Sequence, residues 1–334
     1  MCNLKKILVY VLIVSLSALP AYGKRKKAEE KPAIKWCQSL QELQKEAKDR
    51  QCPIIFVFCD NTTFSIIKKE IIDNPDMIKD SKKFSVIFAN ADENRKLMDE
   101  ICDKYKLATK GFPEVLFSPY DKNEIRREFN CVGSGQVLYS GPGAGPYMKD
   151  FMAKALTAMG EGLDADSYDA LNEANELADE NWEDMNYKDT IETLNDALKI
   201  KAAEKFLKPT KDKLEKLEKD AKAEMDSATK KEDAKDYAGA ADIYARISNY
   251  EGFACAKDAQ KKLKALKNNA DAKNAASLAE KNFNGQKSMK KAQRLEKNGD
   301  FRAAMSQYQQ IAKLYPDTQF AEDAEIKIKE LKNK

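Results

Sequence analysis

The chain has 334 residues, of which 43% are hydrophobic, and this is enough to bury the cores of two domains of ordinary size. Its 58 lysines and arginines nearly balance its 55 aspartates and glutamates, and no basic stripe stands apart from acidic neighbours. The composition therefore predicts no nucleic-acid-binding surface. The chain contains no histidine, which excludes histidine-based catalysis and histidine-ligated metal sites.

The first residues have the pattern of a secretory signal. Lys5 and Lys6 form a positive start, residues 7–19 are an apolar run, and residues 21–23 offer small side chains for cleavage. We expect a signal peptide at 1–23, a charged, disordered lead at 24–33, and an extracytoplasmic location, periplasmic or secreted. Because the apolar run approaches spanning length, an uncleaved membrane anchor is the alternative. No other apolar run approaches that length, so we expect no membrane span after cleavage.

The first half of the chain alternates between helical and strand patterns. Residues 39–50 carry apolar side chains at helical spacing, and Pro53 then opens the apolar run 54–58, which is typical of a buried strand. The later predicted elements are a helix around residues 66–71, a strand at 84–89, a helix at 96–105 and a strand entered through Pro113. This alternation predicts an α/β domain.

The residues that introduce these elements resemble a known family. Trp36 and Leu40 before a helix, Pro53 before an apolar strand, and Phe112-Pro113 before another strand are together similar to the thioredoxin-like domains of secreted bacterial proteins. We assign residues 34–159 to such a domain. In that family the proline corresponding to Pro113 is cis and lies beside the active site. The resemblance therefore implies a groove bordered by Thr62, Thr63, Phe64, Phe112 and Pro113.

The two positions where that family keeps its reactive cysteines hold other residues. Counting on from Pro53 without a gap places Thr63 and Ile66 where Cys-x-x-Cys is expected. Thioredoxin chemistry needs a low-pKa thiolate at a helix N-terminus and a second thiol one turn later, and neither residue supplies one. We therefore predict no catalytic residue. The alternative is an atypical thiol-disulfide oxidoreductase that uses a single cysteine such as Cys59.

The cysteines that follow the predicted signal do not form a recognisable motif. None are spaced as Cys-x-x-Cys, so the sequence predicts neither a zinc ribbon nor a dithiol motif. In an oxidising compartment, candidates for a disulfide or a thiol in the first domain are Cys37, Cys52, Cys59, Cys102 and Cys131. Spacing does not reveal how they pair, and buried thiols acting as small apolar side chains are the alternative for Cys52 and Cys59. We predict no metal and no cofactor.

Beyond residue 160 the pattern is helical and repeats. Residues 236–247 align with residues 300–311 without a gap, and a weaker copy begins at Tyr187. Similar small, aromatic and aliphatic residues coincide on one helical face at the pairs Ala240/Ala304, Tyr244/Tyr308 and Ile247/Ile311. We expect the aromatic pairs Tyr237/Phe301 and Tyr244/Tyr308 to lie inside successive repeats. Intervening helices are expected at 211–226 and 270–283, because the copies are widely spaced.

This helical pattern resembles tetratricopeptide repeats. Near the end of the chain, Pro316 follows one predicted helix, and acidic residues begin the next. We assign residues 165–334 to an all-α, tetratricopeptide-like domain, and an irregular helical bundle is the alternative. A thioredoxin-like domain without its cysteines and stacked helical repeats both favour protein contacts. The sequence thus predicts an extracytoplasmic, non-catalytic adaptor with protein partners at the groove and the repeats.

Overall fold

A computed structural model describes residues 33–107, 114–126, 131–132, 144–316 and 318–332, and its side-chain description omits 131–132 and 144–147. The predicted signal peptide, and all of the following lead except residue 33, lie outside the described residues. The chain divides into two compact units. The first takes the described residues up to Lys45 and those from Pro53 to Met159, and the second takes Glu46–Cys52 and the described residues from Gly160 onward.

The first unit is α/β, as the alternating pattern predicts. Its strands are β1 (Ile54–Cys59), β2 (Ser85–Asn90), β3 (Glu114–Ser118) and β4 (Cys131–Val132), hydrogen-bonded in the order β2-β1-β3-β4. The β1 strand pairs in parallel with β2 and antiparallel with β3, which pairs antiparallel with β4. Helix α1 (Leu40–Arg50) is divided between the units after Lys45. The other helices of the first unit are α2 (Phe64–Ile67, continued by a π-helical turn over Lys68–Ile72), α3 (Pro75–Ser81), α4 (Arg95–Tyr105) and α5 (Ala144–Met159).

The β1 strand lies at the centre of this unit, and all six of its residues are buried. Successive side chains of a strand point to opposite faces of the sheet. Ile55 and Val57 pack into a cluster with side chains of α2, α3 and α5. On the other face, the Phe56 ring meets the Tyr105 ring of α4 edge-on at 4.8 Å. Because both faces are covered, β1 reads as a continuous apolar run rather than an alternating one.

Helix α3 was not predicted from the sequence. Asn74 caps this helix, because its side-chain oxygen accepts hydrogen bonds from the backbone amides of Asp76 at 3.0 Å and Met77 at 3.3 Å. Pro75 occupies the first helical position, where a missing N–H costs nothing. Its Asn-Pro-Asp start is a readable helix signal, but the helix is only 7 residues long and offers little apolar periodicity.

The second unit is entirely helical within the described residues. From Gly160 onward, its helices are α6 (Ala165–Glu183), α7 (Tyr187–Ala197), α8 (Glu204–Asp233), α9 (Tyr237–Ile247), α10 (Ala254–Asn268), α11 (Lys273–Lys297), α12 (Phe301–Leu314) and α13 (Gln319–Lys332). The helix predicted at 211–226 falls within α8, and the one predicted at 270–283 begins three residues before α11; both observed helices are longer than expected. Pro209 lies inside α8 near its start, so the sequence pattern placed the beginning of that helix too late.

Alanines and two tyrosines form much of the helical core. Ala240 and Ala304 are fully buried at equivalent positions of α9 and α12, as are Tyr244 and Tyr308. Small side chains let neighbouring helices approach closely. The expectation for the other aromatic pair was wrong at one position: Tyr237 is partly buried against the core, whereas Phe301 is 48% exposed. Phe301 begins α12 in the terminal part of the array, so its aromatic character alone did not predict burial.

Candidate functional site

The turn after β1 is where the sequence predicts part of a groove. The Oδ1 atom of Asp60 accepts hydrogen bonds from the Thr62 hydroxyl at 2.7 Å, the Thr63 hydroxyl at 2.7 Å and the Thr63 amide at 2.8 Å. Bonds from the Thr62 hydroxyl first, and from Thr63 second, lower the pKa of Asp60. A carboxylate with a lowered pKa is a poor general base at neutral pH. Asp60 therefore stabilises the turn without being suited to activate either hydroxyl.

Thr63, at the first of the two positions expected to hold cysteine, is directed inward. Its side chain is buried, and its hydroxyl accepts a bond from the Asp60 amide at 3.2 Å while donating to the Asp60 carboxylate. Thr62 is exposed and Phe64 is 37% exposed. Ile66, at the second position, is half-buried. Of the three predicted groove residues in this turn, Thr62 and Phe64 are thus the ones that reach the surface.

Phe64 belongs to an aromatic surface that the sequence analysis did not identify. The Phe88 ring of β2 lies 5.7 Å from the Trp36 ring and 6.1 Å from the Phe64 ring. Phe88 is half-buried, whereas the other β2 residues are buried. In the sequence Phe88 is one apolar residue within a strand, and nothing in its spacing distinguishes it from core. We call Trp36, Phe64 and Phe88 the aromatic surface.

Phe112 and Pro113, the other predicted groove residues, lie outside the described residues. Their place beside Thr63 therefore stays a prediction. The β3 strand begins at the next residue, Glu114, which is buried and pairs with Phe58 of β1. This pairing puts the start of β3 next to the end of β1, which is compatible with a groove there.

The Cys59 thiol is poorly suited to redox chemistry. Its side chain is fully buried at the end of β1 and packs in the apolar cluster beneath the sheet. Burial first, and then the negative charges of Asp60, Glu93 and Asp92, raise the pKa of Cys59 to about 12. Because the thiolate is the nucleophile in thiol chemistry, this thiol is almost wholly protonated and unreactive at neutral pH.

The other candidate cysteines are dispersed through the first 132 residues. Cys37 is buried with its sulfur 3.6 Å from the Ser85 hydroxyl, and Cys52 is also buried. Cys102 is a half-buried thiol whose pKa is raised, chiefly by desolvation and then by Asp99. The backbone of Cys131 belongs to β4, but its side chain lies outside the described residues. The raised pKa values of Cys59 and Cys102 are the opposite of the lowered pKa that activates a thioredoxin thiol.

Three turns in the helical unit repeat one backbone geometry. They join α6 to α7, α8 to α9 and α11 to α12, and each has a residue at positive φ: Met185 at 59°, Lys235 at 64° and Gly299 at 80°. In each turn the amide of this residue donates to the carbonyl three positions back. The amide of the preceding residue donates to the carbonyl four positions back from it, and the amide of the following residue donates to the carbonyl five positions back from it. The shared geometry is compatible with the helical repeats that the sequence alignment predicts.

Buried tyrosines pair with glutamates in two of these copies. The Tyr244 hydroxyl donates to Oε2 of Glu232 at 2.8 Å, and the Tyr308 hydroxyl donates to Oε2 of Glu296 at 3.0 Å. Each glutamate lies three residues before the positive-φ residue of its turn. The tyrosines were predicted from the sequence and the glutamates were not, although both pairs have the same separation of 12 residues. In the earlier copy, Leu194 occupies the position of the tyrosine.

The surface of the helical unit contains several grooves. One of about 420 Å³ lies beside α9, α10 and α11, and one of about 340 Å³ lies between α6 and the end of α11. A further groove of about 420 Å³, which we call the α9–α11–α13 groove, is lined by Met185, Asp242, Arg246, Ala279, Asn282, Phe283, Gln286, Gln319 and Phe320. These are surface features of a size that ligands occupy.

The chain thus consists of a small α/β unit followed by an all-helical unit. It matches no family model, and searches of curated proteins and of solved structures find no similar protein. In the part of the chain that the structure describes, no group of three His, Cys, Asp or Glu side chains is placed to hold a metal ion. Over the same residues, no helix combines the length and the apolar character that a membrane span needs.

Proposed function

We propose that this chain is an extracytoplasmic, non-catalytic adaptor that binds proteins, with a redox-inactive thioredoxin-like domain and tetratricopeptide-like repeats. The observation that carries the proposal is the chemistry at the end of β1. Thr63 stands where the family resemblance expects the reactive cysteine, and its hydroxyl is buried and bonded to Asp60. A domain that keeps such a turn without its nucleophile is suited to binding rather than to catalysis.

The thioredoxin-like assignment draws support from the sheet. A parallel pair, β1 and β2, is extended by antiparallel strands, and helices pack on both faces of β1. This arrangement is compatible with the resemblance carried by Trp36, Pro53 and Phe112-Pro113. The repeat assignment draws support from the shared turn geometry and from the equivalent Tyr–Glu bonds. Stacked helical pairs of this kind offer extended surfaces for partners.

The competing function is an oxidoreductase that uses Cys59. Its turnover requires a thiolate that can reach a disulfide in solution. Cys59 is fully buried, and burial with nearby carboxylates raises its pKa to about 12. Both observations disfavour this alternative.

A reduction assay with a matched pair of variants tests the proposal. We expect the wild-type chain not to catalyse dithiol-driven reduction of a model disulfide. The double variant Thr63→Cys with Ile66→Cys places a cysteine pair at the start of α2, and we expect it to form a disulfide and to acquire measurable turnover. Wild-type turnover that is lost in Cys59→Ser would overturn the adaptor proposal. Failure of the double variant to form its disulfide would show that the domain is misaligned with the thioredoxin-like family.

The proposed location follows from the first 23 residues and needs its own experiment. Fusion of residues 1–33 to a reporter enzyme that is active only outside the cytoplasm is expected to give activity in a bacterial host. Replacing Lys5 and Lys6 by glutamate should reduce export, because a positive start precedes the apolar run in secretory signals. Mass spectrometry of the exported fusion then distinguishes cleavage near Gly23 from an uncleaved anchor. A reporter retained in the cytoplasm would contradict the proposed location.

A further inference from the structure

From Gly160 onward, two of the described helices carry charge of only one sign. Every charged residue of α6 is an aspartate or a glutamate. The charged residues of α12 are Arg302 and Lys313, both basic. Each of the other helices from α7 to α13 contains both acidic and basic residues. Surfaces of opposite charge attract each other, so α6 and α12 are electrostatically complementary.

Helix α12 exposes a face by which its equivalent, α9, packs against α11. The α9 residues of this face line grooves together with Phe283 of α11: Asp242, Ala245, Arg246 and Asn249. When the gapless alignment is continued to residue 313, the residues of α12 at the same positions are all exposed: Ser306, Gln309, Gln310 and Lys313. The helices packed against α12 are α11 and α13, and both leave this face open. Within the described residues, α12 therefore lacks the neighbour that α11 provides for α9.

Helix α6 presents carboxylates around an exposed leucine. Leu177 is 46% exposed, and Glu173 and Glu180 lie one turn before and after it on the same side. The side chains of Glu173 and Glu176 are exposed and form no ion pair with another described residue. Glu180 accepts a hydrogen bond from the Arg294 guanidinium of α11. We call Glu173, Glu176, Leu177 and Glu180 the α6 face, which thus already binds a cationic side chain from another helix.

Helix α12 offers the opposite charges beside an exposed leucine of its own. Arg302 and Lys313 are separated by about three helical turns, so both lie on the exposed side of the helix. Neither cation forms an ion pair with another described residue. Leu314 follows Lys313 and is 63% exposed. The exposed side of α12, which we call the α12 face, consists of Arg302, Ser306, Gln309, Gln310, Lys313 and Leu314.

We propose that a second copy of this chain docks its α6 face onto the α12 face, so that α6 of one copy packs on α12 as α11 packs on α9. This goes beyond the proposed adaptor function, because the partner is the chain itself. The two faces belong to different helices, so the contact is heterologous and leaves one face open at each end of a pair. Further copies can therefore add head to tail.

Sedimentation velocity of the whole chain over a series of concentrations tests the proposal. We expect the average mass to rise beyond that of a dimer at low ionic strength, and to fall when salt screens the charges. The α6 variant, Glu173→Lys with Glu176→Lys, makes the two faces repel each other, and so does the α12 variant, Arg302→Glu with Lys313→Glu. Each variant alone should raise the dissociation constant for self-association at least about tenfold.

Mixing the α6 variant with the α12 variant is the sharper test. The two reversed faces then attract each other, and the two unchanged faces still match, so the mixture should associate like wild type although neither variant does so alone. The matched control, Glu215→Lys with Asp226→Lys, reverses two exposed acids of α8 and should also associate like wild type.

All the substituted positions are exposed, so the variants are expected to fold, and their thermal transitions check this. A wild-type chain that stays monomeric at every concentration would overturn the proposal. So would a mixture of the α6 and α12 variants that fails to recover association, or association that is the same in every variant. None of these results would affect the adaptor proposal, which depends on the chemistry at Thr63.

Discussion

The two units of this chain build their cores from different side chains. In the α/β unit, the fully buried residues include the large rings of Phe56, Phe58, Phe84 and Phe117. In the helical unit, alanines occupy many core positions, and the largest fully buried side chains from Gly160 onward are Tyr244 and Tyr308. A sheet covered on both faces depends on one shared core, whereas stacked helices depend on contacts with their neighbours. We therefore expect that substitutions removing equal buried volumes destabilise different extents of structure in the two units.

The largest expected effect in the helical unit is that of Tyr308→Ala. This change deletes a fully buried ring and should cost about 3–5 kcal/mol of unfolding free energy. Since repeats contact mainly their neighbours, α12 and α13 should open while the earlier helices remain folded. Limited proteolysis should then release a stable fragment ending upstream of α12. Lys332→Ala, at an exposed position of α13, is the control and should be near neutral. Unchanged protease resistance of Tyr308→Ala would contradict the repeat assignment.

Phe56→Ala should cost as much unfolding free energy as Tyr308→Ala, but it should destabilise more of its unit. Phe56 is fully buried in β1 and contacts the rings of Phe58 and Tyr105, so its loss should also cost about 3–5 kcal/mol. Because the sheet has one cooperative core, hydrogen exchange should speed up throughout β1, β2 and β3. Phe64→Ala, at a 37% exposed phenylalanine of the same unit, should leave this exchange nearly unchanged. Exchange that increases only around residue 56 would remove the distinction between the units.

The difference between the cores also explains which elements could be predicted from the sequence. Apolar runs such as 54–58 predicted β1 directly, and the aligned residues 236–247 and 300–311 predicted the equivalent helices α9 and α12. Side-chain partners distant in sequence were not readable. Arg50 looked like the charged end of a helix, yet it is fully buried, and within the second unit its Nε bonds to the Leu163 carbonyl at 2.9 Å. Its partner is more than a hundred residues away, and no local pattern marks it.

The contacts between side chains of the candidate site could likewise not be predicted from the sequence. The family resemblance predicts that Thr63 and Ile66 stand at the two cysteine positions, because that prediction needs only spacing along the chain. It did not reveal that Asp60 holds the Thr63 hydroxyl, or that Phe88 lies against Trp36 and Phe64. Nor did the residues of the α9–α11–α13 groove form a motif, since Asp242, Asn282 and Gln319 come from three helices. Helix packing, which single-sequence periodicity does not specify, brings them together.

Loss of the tyrosine hydroxyls should have the next largest effect. Tyr308→Phe keeps the buried ring and removes the hydrogen bond to Glu296, and a bond to a charged group contributes about 1.5–3 kcal/mol. Tyr244→Phe should lose a similar amount through Glu232. Urea unfolding measures both. Tyr237→Phe is the matched control, because the Tyr237 hydroxyl makes no hydrogen bond to another described residue, and it should change little. Equal losses of unfolding free energy at all three tyrosines would show that the hydrogen bonds from Tyr244 and Tyr308 to glutamate contribute no specific stability.

A smaller effect is expected where α13 approaches α11. Gly285→Ala adds a Cβ only 2.7 Å from the Phe320 ring, and such overpacking costs about 1–3 kcal/mol. The higher helix propensity of alanine offsets this cost by about 1 kcal/mol, so we expect a modest net loss in thermal stability. Asn284→Ala, at the neighbouring exposed position, should instead be neutral or slightly stabilising. Combining Gly285→Ala with Phe320→Ala removes the clash, and the two changes should then cost less than the sum of their separate effects.

The smallest expected effect is a pH dependence located in the helical unit. Burial opposes ionisation of Glu232, but hydrogen bonds from Lys262 and Tyr244 outweigh it, and the pKa of Glu232 is lowered. A carboxyl group whose pKa is lower in the folded state stabilises the fold above its unfolded-state pKa, and this contribution disappears as the pH falls through the folded-state value.

Glu232→Gln should therefore be less stable than wild type at neutral pH. Because the side chain is partly exposed, we expect a difference below about 1 kcal/mol. The two urea-unfolding curves should converge once the pH falls well below the ordinary glutamate pKa of about 4.3, where the wild-type carboxyl is also neutral. Glu173→Gln, at an exposed position of α6, should follow wild type at every pH. A stability difference between Glu232→Gln and wild type that persists in acid would mean that Glu232 stabilises the fold through packing. The charge of Glu232 would then not be a feature that separates the helical core from the apolar core of the sheet.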